Sequence, residues 1–392
     1  MPHPLPPESH DLIVDFLHDE EATLKACCVV SKSWVPRVRR HLFACIEFQT
    51  HPSHIHLWMK AFPDPSNSPA RYTCSLIIHG SLATIAPGVN WIRAFSTIVN
   101  LRLYMDGESD FSPILLHGFS HTLKSLHLSY KASLPPSEVF GFVCSFPLLE
   151  DPSLVPSGGH TVVHEWDVPP TSPKFTGTLN LRTSYGVNSV VQYLTELPGG
   201  PRFTKIEVFF TTSDAESVTN LVSNCSETLR SLSLGWLPVG QFSLLASAVG
   251  QCLTTAMSLV REPPLINLSS LTKLEDVVLG WGTQDVRWIT MALQTVKSKN
   301  LRQITIDSHA AIEDRVTKAF LGTWRDLDHV MFRLWTSRSV RSKIKYRTRR
   351  RGRDLGARAS TLLPELTGRG AVDLVDAGRT SFSGFSPPVR LS

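Results

Sequence analysis

The chain has 392 residues, of which 42% are hydrophobic and 19% are charged. This balance is typical of a globular protein, and the length allows one large or two ordinary domains. The net charge of +5 comes from residues 338–358, which contain ten Lys and Arg residues and one Asp, so the rest of the chain carries −4. A protein that is basic over its whole surface is therefore excluded.

The cysteines and the first residues predict a cytoplasmic or nuclear protein. Seven cysteines are scattered without a CxxC pair, which is typical of free, buried thiols in a reducing compartment. The start of the chain has prolines and acidic residues where a secretory signal would have a basic start and an apolar run. The uncharged stretch 242–260 is too polar for a membrane span, so we expect a buried helix that runs into a strand and no membrane contact.

The first 50 residues predict a compact module of three short helices. Apolar residues between 12 and 17 recur at the spacing of one helix face. A second apolar face runs from Leu24 to Trp34 and stops before Pro36, and a basic and apolar segment follows over 38–46. Three helices of this length cannot bury all of their apolar side chains among themselves, so we expect part of that surface to need a partner.

Three groups of residues in this module have the order and spacing of a known family. They are the opening Leu5-Pro6-x-Glu8, the pair Ile13 and Leu17 on the first helix, and the segment Val29-Val30-Ser31-Lys32-x-Trp34. Together they resemble the F-box, in the form common in basidiomycete fungi. Ser9 and His10 depart from the pattern, because the family usually carries two aliphatic residues at those positions.

The resemblance implies that the module docks on the Skp adaptor of a Skp–cullin–F-box ubiquitin ligase, and through it on a cullin. The adaptor-binding residues would be Leu5, Pro6, Ile13, Leu17, Leu24, Val30 and Trp34. A helical surface with aromatic and aliphatic anchors suits that role. The alternative is that these residues form only the core of an ordinary N-terminal helical cap.

After a predicted linker at 51–72, which contains a short amphipathic piece at 55–62, the chain shows a repeating unit of a strand followed by a helix. The eight clearest strand-like pieces are Leu76–Ile78, Leu101–Leu103, Leu126–Leu128, Leu179–Leu181, Ile206–Val208, Leu232–Leu234, Val277–Leu279 and Ile304–Ile306. With the weaker Leu154 and Met331 added, eight of the nine gaps between the last residues of these pieces are 25 to 27 positions long.

This period, with the Leu-x-x-Leu-x-Leu segments at 123–128 and 229–234, indicates an irregular leucine-rich-repeat-like solenoid over residues 73–376. The predicted fold class is therefore α/β: a three-helix F-box followed by an α/β horseshoe with a parallel sheet on its concave side. Residues 151–173, rich in Pro and Gly, predict an interruption or surface loop, and 338–358 a basic loop. A short helix through Leu363 and a strand at 371–375 are expected to cap the solenoid, and 377–392 to be disordered.

No motif indicates catalysis. The sequence contains no nucleophile elbow, P-loop, dinucleotide fingerprint or H-E-x-x-H. His51, His54 and His56 form the densest histidine group, but without Cys or carboxylate partners nearby they indicate a solvated segment rather than a metal site. We therefore expect a protein that is not an enzyme, with no catalytic, cofactor-binding or metal-binding residues.

Residues that alternate with the inward leucines should face the concave surface, where repeat proteins bind partners. The candidate target-binding residues are Arg102, Tyr104, His127, Arg182, Glu207, Phe209, Trp236, Trp281 and Asp307. Trp236 and Trp281 each end a Leu-Gly-Trp segment, and the alternative for them is packing across the strand-to-helix turn.

Two hypotheses of different classes remain. In the first, the chain recruits an unknown protein target to the ubiquitin ligase, and other subunits carry out catalysis. In the second, the chain is a scaffold or nuclear protein whose basic residues 338–358 contact nucleic acid or an import receptor. A solvated loop is the third interpretation of the basic run. Nucleic acid is the least favoured partner, because only Tyr346 interleaves with the basic residues as a stacking platform.

Overall fold

A computed structural model of the chain describes residues 6–49, 53–80, 92, 94–105, 121–131, 136–157, 173–181, 187–236, 265–281, 286–311, 318–347 and 360–376. The chain divides into two compact units. The first contains the described residues up to 157 together with Pro173, and the second contains those from 174 to 376. Several predictions lie outside the described residues; they concern Leu5, His51, Arg182, the stretch 242–260, the basic residues 348–358 and the tail 377–392.

Three helices begin the first unit, as predicted: α1 (Pro7–Phe16), α2 (Glu21–Val30) and α3 (Val35–Leu42). Proline stands in the first turn of α1 and of α3, where the N–H that it lacks would have no partner within the helix. The shared core consists of Val14, Leu24, Cys27 and Val38, with Leu17, Cys28, Trp34 and Leu42 packed against it. The predicted third segment differs at its end, because residues 45–48 form a strand.

The rest of the first unit alternates strands with helices. Its strands are β1 (Cys45–Phe48), β2 (Ser75–His79), β3 (Asn100–Tyr104), β4 (Ser125–Lys131) and β5 (Asp151–Ser157). Helix α4 (Ser53–Ala61) follows β1, and α5 (Pro136–Cys144) lies between β4 and β5 in the chain. Each strand pairs in parallel with the next one in sequence.

The second unit repeats this arrangement. Its strands are β6 (Thr178–Leu181), β7 (Lys205–Phe210), β8 (Ser231–Trp236), β9 (Asp276–Trp281), β10 (Gln303–Ala311), β11 (Arg341–Arg347) and β12 (Val372–Asp376). Its helices are α6 (Val187–Glu196), α7 (Ala215–Asn224), α8 (Arg287–Thr295), α9 (Lys318–Arg338) and α10 (Pro364–Gly368). Here too every strand pairs in parallel with its neighbour in sequence.

Alternation of buried and half-buried residues, which is strict in β7, explains the sheet. In β7, Ile206, Val208 and Phe210 are buried, whereas Lys205, Glu207 and Phe209 are half-buried on the opposite face. Successive side chains of a strand point to opposite faces, so one face packs into the core and the other is polar. The eight predicted strand pieces all lie within β2–β4 and β6–β10, which confirms the α/β class with parallel strands.

A recurring pair of hydrogen bonds marks the start of the strands. The N–H groups of Cys74 and Ser75 both donate to the carbonyl of Ala44, each at 2.9 Å. In the second unit the N–H groups of Arg230 and Ser231 donate in the same way to Thr204, at 2.9 and 3.1 Å. The same backbone contact therefore recurs from one repeat to the next, although the sequences of the repeats differ.

The described part of the predicted linker 51–72, residues 53–72, is instead packed into the first unit. Helix α4 matches the predicted amphipathic piece, and the ring of its buried Trp58 lies 5.7 Å from that of Phe48 and 5.8 Å from that of Phe95. The prolines of this segment open two short 3-10 turns, Pro65–Asn67 and Pro69–Tyr72, and Ala70 is fully buried. The linker prediction is wrong because proline-rich sequence can also form packed turns.

Three further predictions are corrected. Residues 151–157 form strand β5 rather than a loop, with Leu154 in register with Leu128. Met331, counted as the end of a strand, lies in helix α9. Within the basic run 338–358, residues 341–347 form strand β11 rather than a loop, and Arg338 is the last residue of α9. At the C-terminal end, the predicted helix and strand correspond to α10 and β12.

Two properties of the described residues bear on compartment and membrane. None of the described helices combines the length and the apolarity needed to cross a bilayer. The six cysteines within these ranges are free thiols; Cys27 and Cys225 are buried as expected, whereas Cys74 is exposed.

Candidate interaction surfaces

Large apolar side chains cover the outer faces of α1 and α2. The exposed fractions are 70% for Leu12, 43% for Ile13, 86% for Phe16, 87% for Val29 and 73% for Val30. On α1, Leu12 and Phe16 are one helical turn apart and lie away from the buried Val14. The module thus has a core of its own and carries a second set of apolar residues that its core does not use.

The predicted adaptor-binding residues fall into three groups. Pro6, Ile13 and Val30 are exposed, while Leu17 and Trp34 are half-buried against the core of the module. Leu24 is only 1% exposed, so its prediction as a contact residue is wrong: it holds α2 on the other helices.

The predicted adaptor-binding residues do not include Leu12, Phe16 and Val29, which the structure exposes. The available signal was that α1 carries apolar residues at more positions than one buried face can use.

Ser9 and His10 occupy different sides of α1. The imidazole of His10 packs on the indole of Trp34, with ring centroids 5.6 Å apart, so His10 belongs to the inner side of the module. Ser9 precedes Leu12 by three residues and Ile13 by four, which places it next to the exposed apolar side chains. Only Ser9 therefore interrupts the outer face.

A charged cluster fixes α1 on α3. Arg37 donates from Nε to Asp15 Oδ1 at 2.6 Å and from Nη2 to Asp15 Oδ2, and His41 Nε2 lies 2.8 Å from Oδ1. The Arg37 hydrogen bonds, followed by the one from His41, hold the pKa of Asp15 well below its usual value. Two donors from α3 on one carboxylate of α1 set the orientation in which α1 presents its outer face.

Five side chains form a continuous row on the polar face of the first unit, one from each strand. His79 Nε2 lies 3.2 Å from Glu47 Oε1, and its ring stacks on that of Tyr104 with centroids 4.5 Å apart and planes 5° from parallel. The Tyr104 ring lies 5.2 Å from that of His127, whose Nδ1 is 2.9 Å from Ser153 Oγ. Tyr104 and His127 are thus on the face where the sequence predicts them, with Arg102 beside them on β3.

The polar face of the second unit is organised around Glu207 and Phe209. Glu207 Oε1 is 2.7 Å from Lys205 Nζ, and its Oε2 accepts a hydrogen bond of 3.3 Å from Asn180. Phe209 lies over Gly235 of the next strand, where a Cβ atom would stand 2.3 Å from Cδ1 of the ring. Glu207 and Phe209 thus lie on the face opposite the buried residues of β7, and their binding of a target stays a prediction.

The other predicted target-binding residues differ in burial. Trp236 is only 6% exposed, because alternate residues of a strand point to the same face and it follows the buried Leu232 and Leu234 at that spacing. Its prediction as a surface anchor is therefore wrong. Trp281 is in register with Trp236, but its side chain lies outside the described residues. Asp307 is half-buried on β10, in register with Gly280 of β9.

The described residues give no sign of a reactive centre. Burial raises the pKa of the Cys144 and Cys225 thiols to about 12, so both stay protonated at neutral pH and are poor nucleophiles. Within the ranges that the structure covers, no three His, Cys, Asp or Glu side chains are grouped as a metal site.

Searches against models of known protein families and against curated proteins find no match to this chain. The outer face of α1 and α2 and the polar faces of the strands are its candidate functional surfaces.

Proposed function

We propose that the chain is the target-recruiting subunit of a Skp–cullin–F-box ubiquitin ligase. In this proposal α1–α3 dock on the Skp adaptor, the polar faces of the strands bind a protein target, and ubiquitin transfer belongs to other subunits. The observation that carries the proposal is the outer apolar face of the module. Leu12, Phe16 and Val29 are each at least 70% exposed although the module already has a closed core.

Physical chemistry favours a docking role over a simple cap. A helical cap of a repeat protein needs a polar outer face to remain soluble. Here the outer face carries large apolar side chains, and burying each one against a partner contributes about 1.5–3 kcal/mol. Contiguous exposed apolar surface typically marks an interaction site. The resemblance of residues 5–48 to the F-box adds the identity of the partner.

The experiment is co-expression of the full chain with a Skp adaptor, followed by co-purification. We expect wild type to retain the adaptor and the double variant Leu12→Glu, Phe16→Glu to lose it. A matched control places the same two charges on exposed leucines elsewhere, Leu148→Glu and Leu265→Glu, whose side chains are 50% and 59% exposed. This control should retain the adaptor.

The three leucines and the phenylalanine that these variants change are all exposed. We therefore expect both variants to unfold at nearly the wild-type temperature. If wild type does not hold the adaptor, or if the Leu12/Phe16 variant holds it as firmly as the control does, the proposal is wrong.

A further inference from the structure

Strand β11 arranges part of the basic run on a single face. Ser342 and Ile344 are each 3% exposed and point into the core. Arg341 and Lys343 alternate with them; Arg341 is exposed and Lys343 half-buried. In the sequence of the strand, Lys345 and Arg347 follow at the same two-residue spacing. The run that reads as a basic loop is thus a stripe of basic positions along one strand.

The basic stripe is only one strand wide, because the neighbouring strands place acidic residues beside it. Asp307 of β10 is in register with Lys345, and Asp373 of β12 is in register with Lys343. Asp307 and Asp373 are therefore the carboxylates in register with the two lysines, whereas the sequence of β11 has four basic residues at alternate positions. The sequence continues with five more arginines and one aspartate at 348–358, so the region keeps a positive charge.

We propose that this stripe, Arg341 to Arg347, binds an extended acidic segment of a partner protein. Alternate residues of a strand are about 6.8 Å apart, which is also the spacing of alternate side chains in an extended peptide. Glu or Asp at every second position of such a peptide could meet the basic side chains one by one. That the segment belongs to the ubiquitination target rests on the proposed function; the binding itself does not.

The geometry favours a peptide over the other two partners that the sequence suggests. An import receptor reads a free linear segment, whereas the backbone of 342–345 is paired with strands on both sides. A nucleic acid duplex covering three strands would bring its phosphates against Asp307 and Asp373. A single nucleic acid strand needs aromatic platforms, and the described polar-face positions of β10 to β12 carry none: they are Gln303, Thr305, Asp307, Arg341, Lys343 and Asp373.

The test is fluorescence anisotropy of the full chain with a labelled peptide of alternating Glu and Ser. A Gln–Ser peptide of equal length and a single-stranded DNA oligonucleotide serve as comparison probes. We expect the Glu–Ser peptide to bind best, and its affinity to fall by at least about tenfold in the variant Arg341→Gln, Lys343→Gln, Lys345→Gln. The matched control Lys174→Gln, Arg202→Gln, Arg230→Gln removes the same charge from exposed positions of the same unit. It should change affinity by less than about twofold.

A second variant tests the proposal without removing any basic residue. Asp307→Asn with Asp373→Asn removes the flanking carboxylates, and we expect it to bind the Glu–Ser peptide more tightly. The proposal is overturned if wild type does not bind this peptide, if DNA binds better, if the two triple variants lose equal affinity, or if the Asp variant binds no better than wild type. Co-purification of the β11 variant with the Skp adaptor should be unchanged, so failure here is distinguishable from failure of the docking proposal.

Discussion

The helical module and the strand faces distribute polar and apolar groups in opposite ways. In α1–α3 several large apolar side chains, such as Phe16, face solvent, while the Asp15–Arg37 pair is only about one-third exposed. In the strands the leucines are fully buried, and the half-buried face carries rings and charges such as Tyr104 and Glu207. Binding at the helical module would gain free energy by removing apolar surface from water. Binding at the strand faces would gain it through directed polar contacts.

This difference indicates two kinds of partner. The outer face of α1 and α2 suits a partner with its own apolar groove, since apolar burial is strong but weakly directional. The strand faces hold their rings and charges in fixed positions, as in the stack of His79 on Tyr104. Side chains that are already ordered lose little entropy on binding, which favours selectivity for one target.

The largest expected effect is on the free energy of unfolding, and it distinguishes a core residue of the helical module from a surface residue. Leu24→Ala removes a side chain that is 1% exposed, and we expect a loss of about 2–5 kcal/mol in the free energy of unfolding. Val29→Ala, at 87% exposure, should change it by less than about 0.5 kcal/mol. Denaturant titration followed by helical circular dichroism measures both. Equal losses in the two variants would mean that the outer face is not free surface.

The second effect tests how rigidly the polar face of the second unit is held. Gly235→Ala would place a Cβ atom 2.3 Å from Cδ1 of Phe209, so the ring must move, at a cost of about 1–3 kcal/mol. The control Gly141→Ala, in helix α5, meets nothing within 4 Å and should stabilise by about 0.5–1 kcal/mol.

The cause can be isolated in the background Phe209→Ala. There the ring is absent, so Gly235→Ala should cost almost nothing in the same unfolding measurement. A cost that persists without the ring would show that Gly235 is needed for another reason, and that Phe209 is not fixed by this contact.

The repeat could be predicted from the sequence because its signal is local. A segment with apolar residues at alternate positions indicates which side chains of a strand face the core, and eight such segments occur between residues 76 and 306. The same alternation along β8 predicts that Trp236 points into the core with Leu232 and Leu234. Met331 was misassigned by the period alone: Leu327, Met331 and Leu334 are spaced as a helix face and are all buried in α9.

Other features depend on information that the sequence does not carry locally. In β11 the strand signal is only Ser342 and Ile344, set among basic residues that otherwise indicate a solvated loop. The row from Glu47 to Ser153 joins residues about 25 positions apart, so it requires the register of five strands. Which apolar residues of α1 stay outside depends on where α3 binds Asp15.

The smallest expected effect concerns the two positions where the module departs from the F-box pattern. The sequence alone predicts that Ser9→Leu and His10→Ile together tighten adaptor binding by roughly 1 to 3 kcal/mol. In the structure only Ser9 adjoins the outer face, whereas His10 packs on Trp34. We therefore expect Ser9→Leu alone to tighten binding by about 1 kcal/mol, roughly fivefold, because it adds apolar area beside Leu12 and Ile13.

His10→Ile should leave affinity nearly unchanged, since it exchanges one inner contact of Trp34 for another. Calorimetric titration of each purified variant with the adaptor separates the two positions. If His10→Ile gives the larger gain, the adaptor approaches α1 from the side of Trp34, and the outer face formed by Leu12 and Phe16 is not where it docks.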